Sequence, residues 1–442
     1  MFHFPALSLV LLPCLALAWS GAVRAEAPAP PPDVSARVAA VAPQVREWRR
    51  DIHSHPELAN EERRTATLVA AHLRRLGFDE VRTGVGRTGV VGLLRGARPG
   101  AILALRADMD ALPIREATGL PFASQATGLF DGHEVPVMHG CGHDAHTAML
   151  MGAATVLAGM RDRISGTIMF IFQPAEEGGP PNMVSGARAM LADGLFAREK
   201  PSAILALHVE PGPVGQIQVR PGPFLAGSTD LSIDLTGRQT HAGRPWEGTD
   251  LINLSADIVK SLTTISARRL DLVAYPNVIS VGSLKAGLRK NILPGTAEMR
   301  GIIRTFDQDQ QASIQALIRT SIDGLAQSYG AQARVSFTDS TPVTRNDPKL
   351  LDSLMPALRA AAGVAGVDPN SRLRGAAEDF SFLEQEIPGL YYILGSTPAG
   401  IDPAQAPTNH SDRFDIDEAV LPVGVTAHVL SALAFLDAHH AP

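Results

Sequence analysis

The sequence predicts an α/β protein: a mostly parallel central sheet flanked by helices and interrupted by a smaller, inserted α+β unit. Three observations carry this. Short apolar runs alternate with helical periodicities between Val90 and Leu207, the order that builds a parallel sheet with crossover helices. Near Ala226 the pattern changes to half-buried alternating strands beside long amphipathic helices. The 442 residues are 45% hydrophobic and 19% charged, an ordinary globular composition that excludes fibrous and disordered classes. At roughly 150 residues per domain the length allows two or three folding units.

The amino terminus is a separate object. Leu7 to Trp19 is an apolar run of about 13 residues, long enough for a secretory h-region and too short to span a bilayer. Val23-Arg24-Ala25 then places small residues at the −3 and −1 positions of a cleavage site before Glu26. Residues 1–25 therefore read as a signal peptide and 26–33 as a stiff Pro-rich linker. The expectation is a periplasmic or secreted protein with no membrane span in the mature chain. Once the leader is removed, Cys141 is the only thiol; it cannot form an internal disulfide, and is an inert core residue, a reactive thiol or a metal ligand. The net charge of −6 is spread over both signs without a basic block, which argues against nucleic acid or an anionic membrane as partner.

Helical spacing runs from Val34 to Arg50 and from Glu61 to Leu76, the second ended by Gly77. Val90–Leu94 and Ile102–Arg106 read as strands. Thr147–Leu157 reads as a helix, Thr167–Gln173 as a strand, Ala187–Leu191 as a helix and Ala203–Leu207 as a strand. Beyond Ala226 come a strand, Asp230–Thr236, a helix, Leu251–Ile265, and two strands, Asn277–Leu284 and Thr296–Thr305. A helix, Gln308–Tyr329, and a strand, Ala333–Thr338, complete the series. This β-α-β-β-α-β order is the split-βαβ, ferredoxin-like arrangement. The unit 226–338 is thus read as inserted between a first part of the larger domain, 34–225, and a second, 339–442, which resumes with a helix from Leu350.

Ligand-type residues are dense in His139-Gly140-Cys141-Gly142-His143-Asp144-Ala145-His146. A thiolate and an imidazole two residues apart, between glycines, suit zinc or a similar transition ion; on this segment alone, a buried cysteine beside solvated histidines is an equal reading. Glu176 and Glu177 follow an apolar strand. One as a metal ligand beside the other as a general base would let both acids exist there, as would two solvated acids in a polar loop. Asp108 and Asp110 also follow a strand, and His208 lies just past Leu207. In open α/β sheets, ligands bind beyond the carboxyl ends of the strands, so the convergence of Asp108, Glu176, Glu177 and His208 at such ends outweighs any one of them. His410 stands in Asn409-His410-Ser411-Asp412.

Taken together, these segments resemble the dinuclear metallohydrolases that include aminoacylases, hippurate hydrolase and indole-acetyl-amino-acid hydrolases. The resemblance extends over Arg49-Arg50-Asp51-Ile52-His53, Thr240-His241-Ala242-Gly243, Asn291-Ile292-Leu293-Pro294, Arg304-Thr305-Phe306 and Glu378-Asp379-Phe380-Ser381, in family order from about residue 40 to 440. It implies a phosphorylase/hydrolase-like catalytic domain and a lid/dimerisation role for the insert. It implies two divalent metal ions per subunit, zinc first, with manganese, cobalt or nickel as alternatives. Cys141, His143, Glu177, His208 and His410 become the metal ligands, Glu176 the general base, and Asp108 and Asp110 supports behind them. His241 would reach a neighbouring subunit's site in a homodimer, and Asn291 and Arg304 would face an N-acyl amino acid or short peptide. An exported carboxypeptidase or dipeptidase, and a non-catalytic solute-binding relative, are the alternatives. The chain departs from its relatives at Pro180-Pro181-Asn182, at Glu210, where Trp is frequent, and at Gly243-Arg244-Pro245-Trp246. These positions bear on the substrate, not on the ligands.

Overall fold

Helix α1 (Pro32–Ser54) begins on prolines, whose fixed φ suits a first helical turn, and it buries Val34, Val38, Val41, Val45, Trp48 and Ile52, the spacing of one helical face. The computed structural model describes residues 29–179 and 183–439. The expected signal peptide, the first residues of the linker and the Pro180-Pro181-Asn182 departure lie outside the described residues. Helix α2 (Arg63–Arg75) ends just before Gly77, whose φ of 72° is the left-handed conformation that closes a helix.

The central sheet has eight strands: β1 (Glu80–Val85), β2 (Gly89–Arg95), β3 (Arg98–Asp108), β4 (Ser165–Gln173), β5 (Ala203–Glu210), β6 (Ile217–Gln218), β7 (Val367–Asp368) and β8 (Gly389–Gly395), in the order β1-β2-β4-β3-β5-β8-β6-β7. The middle of the sheet is parallel, β4-β3-β5-β8. Antiparallel pairs join β1 to β2, β2 to β4 and β8 to β6, so the sheet is mixed and parallel only at its centre and at the short β6-β7 pair. Along β3 the pleat sorts side chains: Leu103, Leu105 and Ala107 join the core under α1, α2, α3 (His143–Ala158), α7 (Pro348–Ala362) and α9 (Leu421–Ala438). Ala104 joins the other core, beside α4 (Gly186–Ala192) and α8 (Phe380–Glu384). Residues Glu418–Ala438 are long and apolar enough to cross a membrane, but α9 contributes Leu421, Val425, Val429 and Leu436 to this core.

The inserted segment forms its own four-stranded sheet from β9 (Gly227–Thr236), β10 (Asn277–Ala286), β11 (Thr296–Thr305) and β12 (Gln332–Thr341), in the order β10-β11-β9-β12 and antiparallel throughout. With α5 (Leu251–Arg268) and α6 (Gln308–Tyr329) it encloses a separate apolar core. Strand β12 runs to Thr341, past the expected end at Thr338. Helix α3 likewise starts earlier than expected, at His143 instead of Thr147. Its first turn is polar in sequence but wholly buried, because the site is built into it.

Candidate metal centre

The loop before α3 turns on Gly142, at φ 95°, where a Cβ would collide with Val209; only glycine permits this approach. It delivers Cys141 and His143 to the carboxyl ends of β4 and β5. The Nδ1 of His143 donates to the Asp110 carbonyl at 2.8 Å, which leaves a lone pair on Nε2, a buried atom with no hydrogen-bond partner among the described residues. His208 repeats the pattern: Nδ1 donates to the Val209 carbonyl at 2.9 Å, and Nε2 lies 3.4 Å from the Cys141 sulfur. Fixing one ring nitrogen through a carbonyl so that the other presents its lone pair is how metal-binding imidazoles are oriented.

Two non-glycine residues at the site have left-handed backbone, Ala175 at φ 48° and His410 at φ 69°, conformations that non-glycine residues hold only where the surroundings enforce them. Asp110 enforces the first, its two oxygens accepting from the Glu176 and Glu177 amides at 3.1 Å each. Asn409 enforces the second, donating to the Cys141 and Val209 carbonyls at 3.0 and 3.1 Å. The result sets His410 Nε2 2.8 Å from Glu177 Oε1, an oxygen without a directed hydrogen bond among the described residues.

The ligand atoms of Cys141, His143 and His208 lie within 4.8 Å of one another, as do those of Cys141, Glu177 and His410 and those of His143, Glu176 and Glu177. Two of these trios share Cys141, the arrangement two neighbouring ions would use. The thiolate, imidazole and carboxylate donors suit a borderline-soft divalent ion. Asp108, His143 and His146 form a further trio, but His146 is fully engaged: Nδ1 meets Asp108 at 2.6 Å and Nε2 accepts from the Val209 amide at 2.8 Å. His146 and Asp108 hold the ligand strands in place.

Electrostatics agree with a cation site. Burial pushes the Glu176 carboxyl well above its ordinary value, reinforced by Glu378, Glu177 and Asp379 against the pull of Arg106. Burial and then Glu177 and Glu176 raise the Cys141 thiol. Burial, with His146 adding repulsion, holds His208 well below the ordinary imidazole range. A bound divalent cation reverses such penalties, since it requires deprotonated thiol, imidazole and carboxylate.

Two buried arginine clusters brace this floor. Arg106 donates to Asp108 at 2.8 Å, Gln173 at 2.9 Å, Glu378 at 2.9 Å and Asp379 at 3.2 Å, and Tyr391 donates to Glu378 at 2.7 Å. Burial, opposed by Arg106 and reinforced by Glu378, pushes Asp379 up to about 8. Arg49 reaches Asp144 at 3.0 Å, and His53 meets Asp144 at 2.9 Å and Glu116 at 3.1 Å, which ties α1 to the residue after His143. Burial lowers His53, yet Asp144 and Glu116 outweigh it and raise the ring to about 9.

The site opens into a cavity of about 540 Å³ whose walls include Cys141, Glu176, Glu177, His208, His410 and, from the inserted unit, Arg304. Arg304 is half-buried; its Nη1 has no hydrogen-bond partner among the described residues, and burial lowers its pKa against the pull of Asp230. His241 and Asn291 do not line the cavity. They sit together on the insert's surface, exposed, with the Ala242 amide donating to the Asn291 carbonyl at 3.0 Å. Arg106, His146, Tyr391 and Asn409 carry no assigned role in the sequence pattern, and Glu378 and Asp379 stand there only inside a motif. An arginine within the apolar run Leu103 to Ala107 was a usable signal, because a buried guanidinium demands buried acids.

The profile of Peptidase family M20/M25/M40 matches residues 104–434. Thermostable carboxypeptidase 1 of Saccharolobus solfataricus is 38% identical over 402 residues, 89% of this chain and 96% of the relative. N-acetylcysteine deacetylase of Bacillus subtilis is 34% identical, over 85% of this chain and 92% of the relative. A solved structure of a dinuclear metal-binding M20 peptidase from Bacillus subtilis superposes with a TM-score of 0.75 at 31% identity, covering 90% of this chain and 99% of that one.

Proposed function

The chain belongs to Peptidase family M20/M25/M40 and is a metal-dependent amide hydrolase; from that premise we propose that it cleaves the amide bond of N-acyl amino acids or short peptides, with Glu176 as general base. One observation carries the reading: Cys141, Glu176, Glu177, His208 and His410 share a single cavity with Arg304, and His143 stands within ligand distance of Cys141 and His208 and of Glu176 and Glu177. Cys141, His143, Glu177, His208 and His410 would hold two divalent ions, zinc first, with manganese, cobalt or nickel as alternatives. When bound, the ions supply polarisation of the scissile carbonyl and a more acidic water. Glu176 takes the proton of the attacking water and delivers it to the leaving amine. Its engagement as base and not as ligand is supported by its position between Glu177 and the Arg106-held pair of Glu378 and Asp379. Arg304 fits a substrate carboxylate, which a guanidinium can bind by two parallel hydrogen bonds.

The exposed pair of His241 and Asn291 supports a trans role, in which the inserted unit is the lid and dimerisation element of a homodimer and His241 steadies the developing oxyanion in the partner's site. Export to the periplasm or medium rests on the leader sequence. A carboxypeptidase acting on short peptides is the second reading, favoured by the 38% identical carboxypeptidase relative. The test is a hydrolysis panel of hippurate, N-acetyl amino acids and dipeptides with enzyme loaded with zinc, manganese, cobalt or nickel. Cleavage of the first two groups supports deacylation, cleavage of dipeptides alone supports the peptidase, and cleavage of neither refutes both.

A further inference from the structure

Two residues past His208, Glu210 lines the metal cavity. It is anchored there. Arg374 donates through Nη1 to Glu210 Oε2 and through Nη2 to Gln218 Oε1, the latter at 2.5 Å. The side chains of Arg374 and Glu210 are only 12% and 18% exposed. The Arg374 backbone is pinned on both sides, its amide donating to the Phe224 carbonyl at 3.0 Å and its carbonyl accepting from the Ala226 amide at 2.9 Å, and its guanidinium lies over the Phe224 ring at 5.8 Å. The carboxylate is therefore held in a fixed place, with one oxygen occupied by Arg374. A carboxylate offers acceptor lone pairs and no donor.

Apart from the ligand cluster with Glu176, the Glu378–Asp379 pair and Arg304, the rest of the cavity wall is uncharged: Leu225, Ser228, Thr341, Ala376, Ala377, Tyr391 and Asn409. We propose that Glu210, positioned by Arg374, reads the side chain of the leaving amino acid and favours ammonium or guanidinium groups over carboxylates. The inference rests on the proposed function. If Arg304 takes the α-carboxylate and the scissile carbonyl faces the ligands, the side chain of the same amino acid must lie within this cavity. A donor-bearing side chain gains a charge-assisted hydrogen bond to the fixed oxygen, whereas an acidic one meets acceptor against acceptor, and like-charge juxtaposition is how charged pockets reject wrong partners.

The experiment compares Nα-acetyl-lysine, Nα-acetyl-alanine and Nα-acetyl-glutamate as substrates of the metal-loaded wild type and of Glu210→Gln. The wild type should favour lysine over glutamate by at least tenfold in kcat/KM, a difference of about 1.4 kcal/mol. Glu210→Gln should bring that ratio to within about threefold of unity, mainly through KM, while changing the alanine substrate by no more than about the same factor. The double variant Glu210→Gln/Arg374→Gln leaves no unpaired guanidinium and should show the same collapse if the single variant folds poorly. An unchanged lysine-to-glutamate ratio in the variants, or a wild-type preference for glutamate, would overturn the proposal. Failure of the wild type to hydrolyse even the alanine substrate would overturn the deacylase reading of the proposed function instead. In that case calorimetric binding of free lysine against free glutamate to the same proteins still decides the role of Glu210, with equal affinities overturning it.

Discussion

The floor of the cavity and the inserted unit are held together in opposite ways. Around the candidate metal centre, Arg106, Asp108, His143, Asp144 and His146 are no more than 2% exposed, and buried salt bridges hold Arg106 to Asp108, Glu378 and Asp379 and Arg49 to Asp144. In the insert, the edge strand β10 leaves Val278 49% and Leu284 46% exposed, and Arg300 pairs with Asp234 at 2.7 Å with both side chains over two-fifths exposed. The difference fits the proposed function. Metal-site and proton-transfer groups must be fixed before substrate arrives, because preorganised charge in a dry site is worth more than mobile charge in water. The insert gives the cavity Arg304 and keeps its other candidate residues on the surface, where a partner subunit could use them.

The largest effect lies on the floor. Glu176→Gln should lower turnover by roughly 10²–10⁴-fold, the usual contribution of a general base, without loss of folding stability. Steady-state kinetics beside a melting curve check it, and a variant retaining a tenth of the activity would remove Glu176 from the chemistry.

Arginine replacement sharpens the contrast directly. Arg106→Met strands Asp108, Glu378 and Asp379 as buried charges and should cost about 3–5 kcal/mol. Arg300→Ala in the insert should cost less than about 1 kcal/mol, as exposed ion pairs do. Denaturant unfolding of the two variants measures both, and equal costs would mean that the floor is not the rigid part.

A smaller, substrate-dependent effect is expected at the point where the regions meet. Arg304→Ala should lose about 2–5 kcal/mol in kcat/KM on a substrate with a free carboxylate. It should lose much less on the matching amide. Equal losses on the two would show that Arg304 does not read the carboxylate.

The smallest signal is the most specific to the insert. Mixing inactive His241→Ala with inactive Glu176→Gln should restore part of the activity, because a mixed dimer contains one whole site if His241 acts in trans. No recovery from a demonstrated mixed dimer would assign each insert to its own subunit.

Much of this was legible from sequence, for physical reasons. Val90–Leu94 and Thr167–Gln173 fall inside β2 and β4 because continuous apolar runs mark strands buried on both faces. The convergence of Asp108, Glu176 and His208 followed from where parallel strands end. The resemblance groups His410 with Cys141, and their donor atoms lie within 4.8 Å of each other. What stayed hidden depends on long-range partners. Strand β1 is only half-buried and carries a weak pattern. Arg106 simply closes the expected strand Ile102–Arg106, and its partners Glu378 and Asp379 stand more than 270 residues away in sequence. The antiparallel flanks of the sheet could not be read from apolar runs, since a buried strand looks the same whichever way its neighbour runs.

In the proposed mechanism adjacent acids on one loop divide the work, Glu177 holding metal and Glu176 moving the proton. The most direct measurement is metal content per chain, by mass spectrometry after loading, for wild type, Glu176→Gln and Glu177→Gln. Two ions are expected in the wild type, two in Glu176→Gln and fewer in Glu177→Gln. Equal loss of metal from both variants, or full retention by Glu177→Gln, would contradict it.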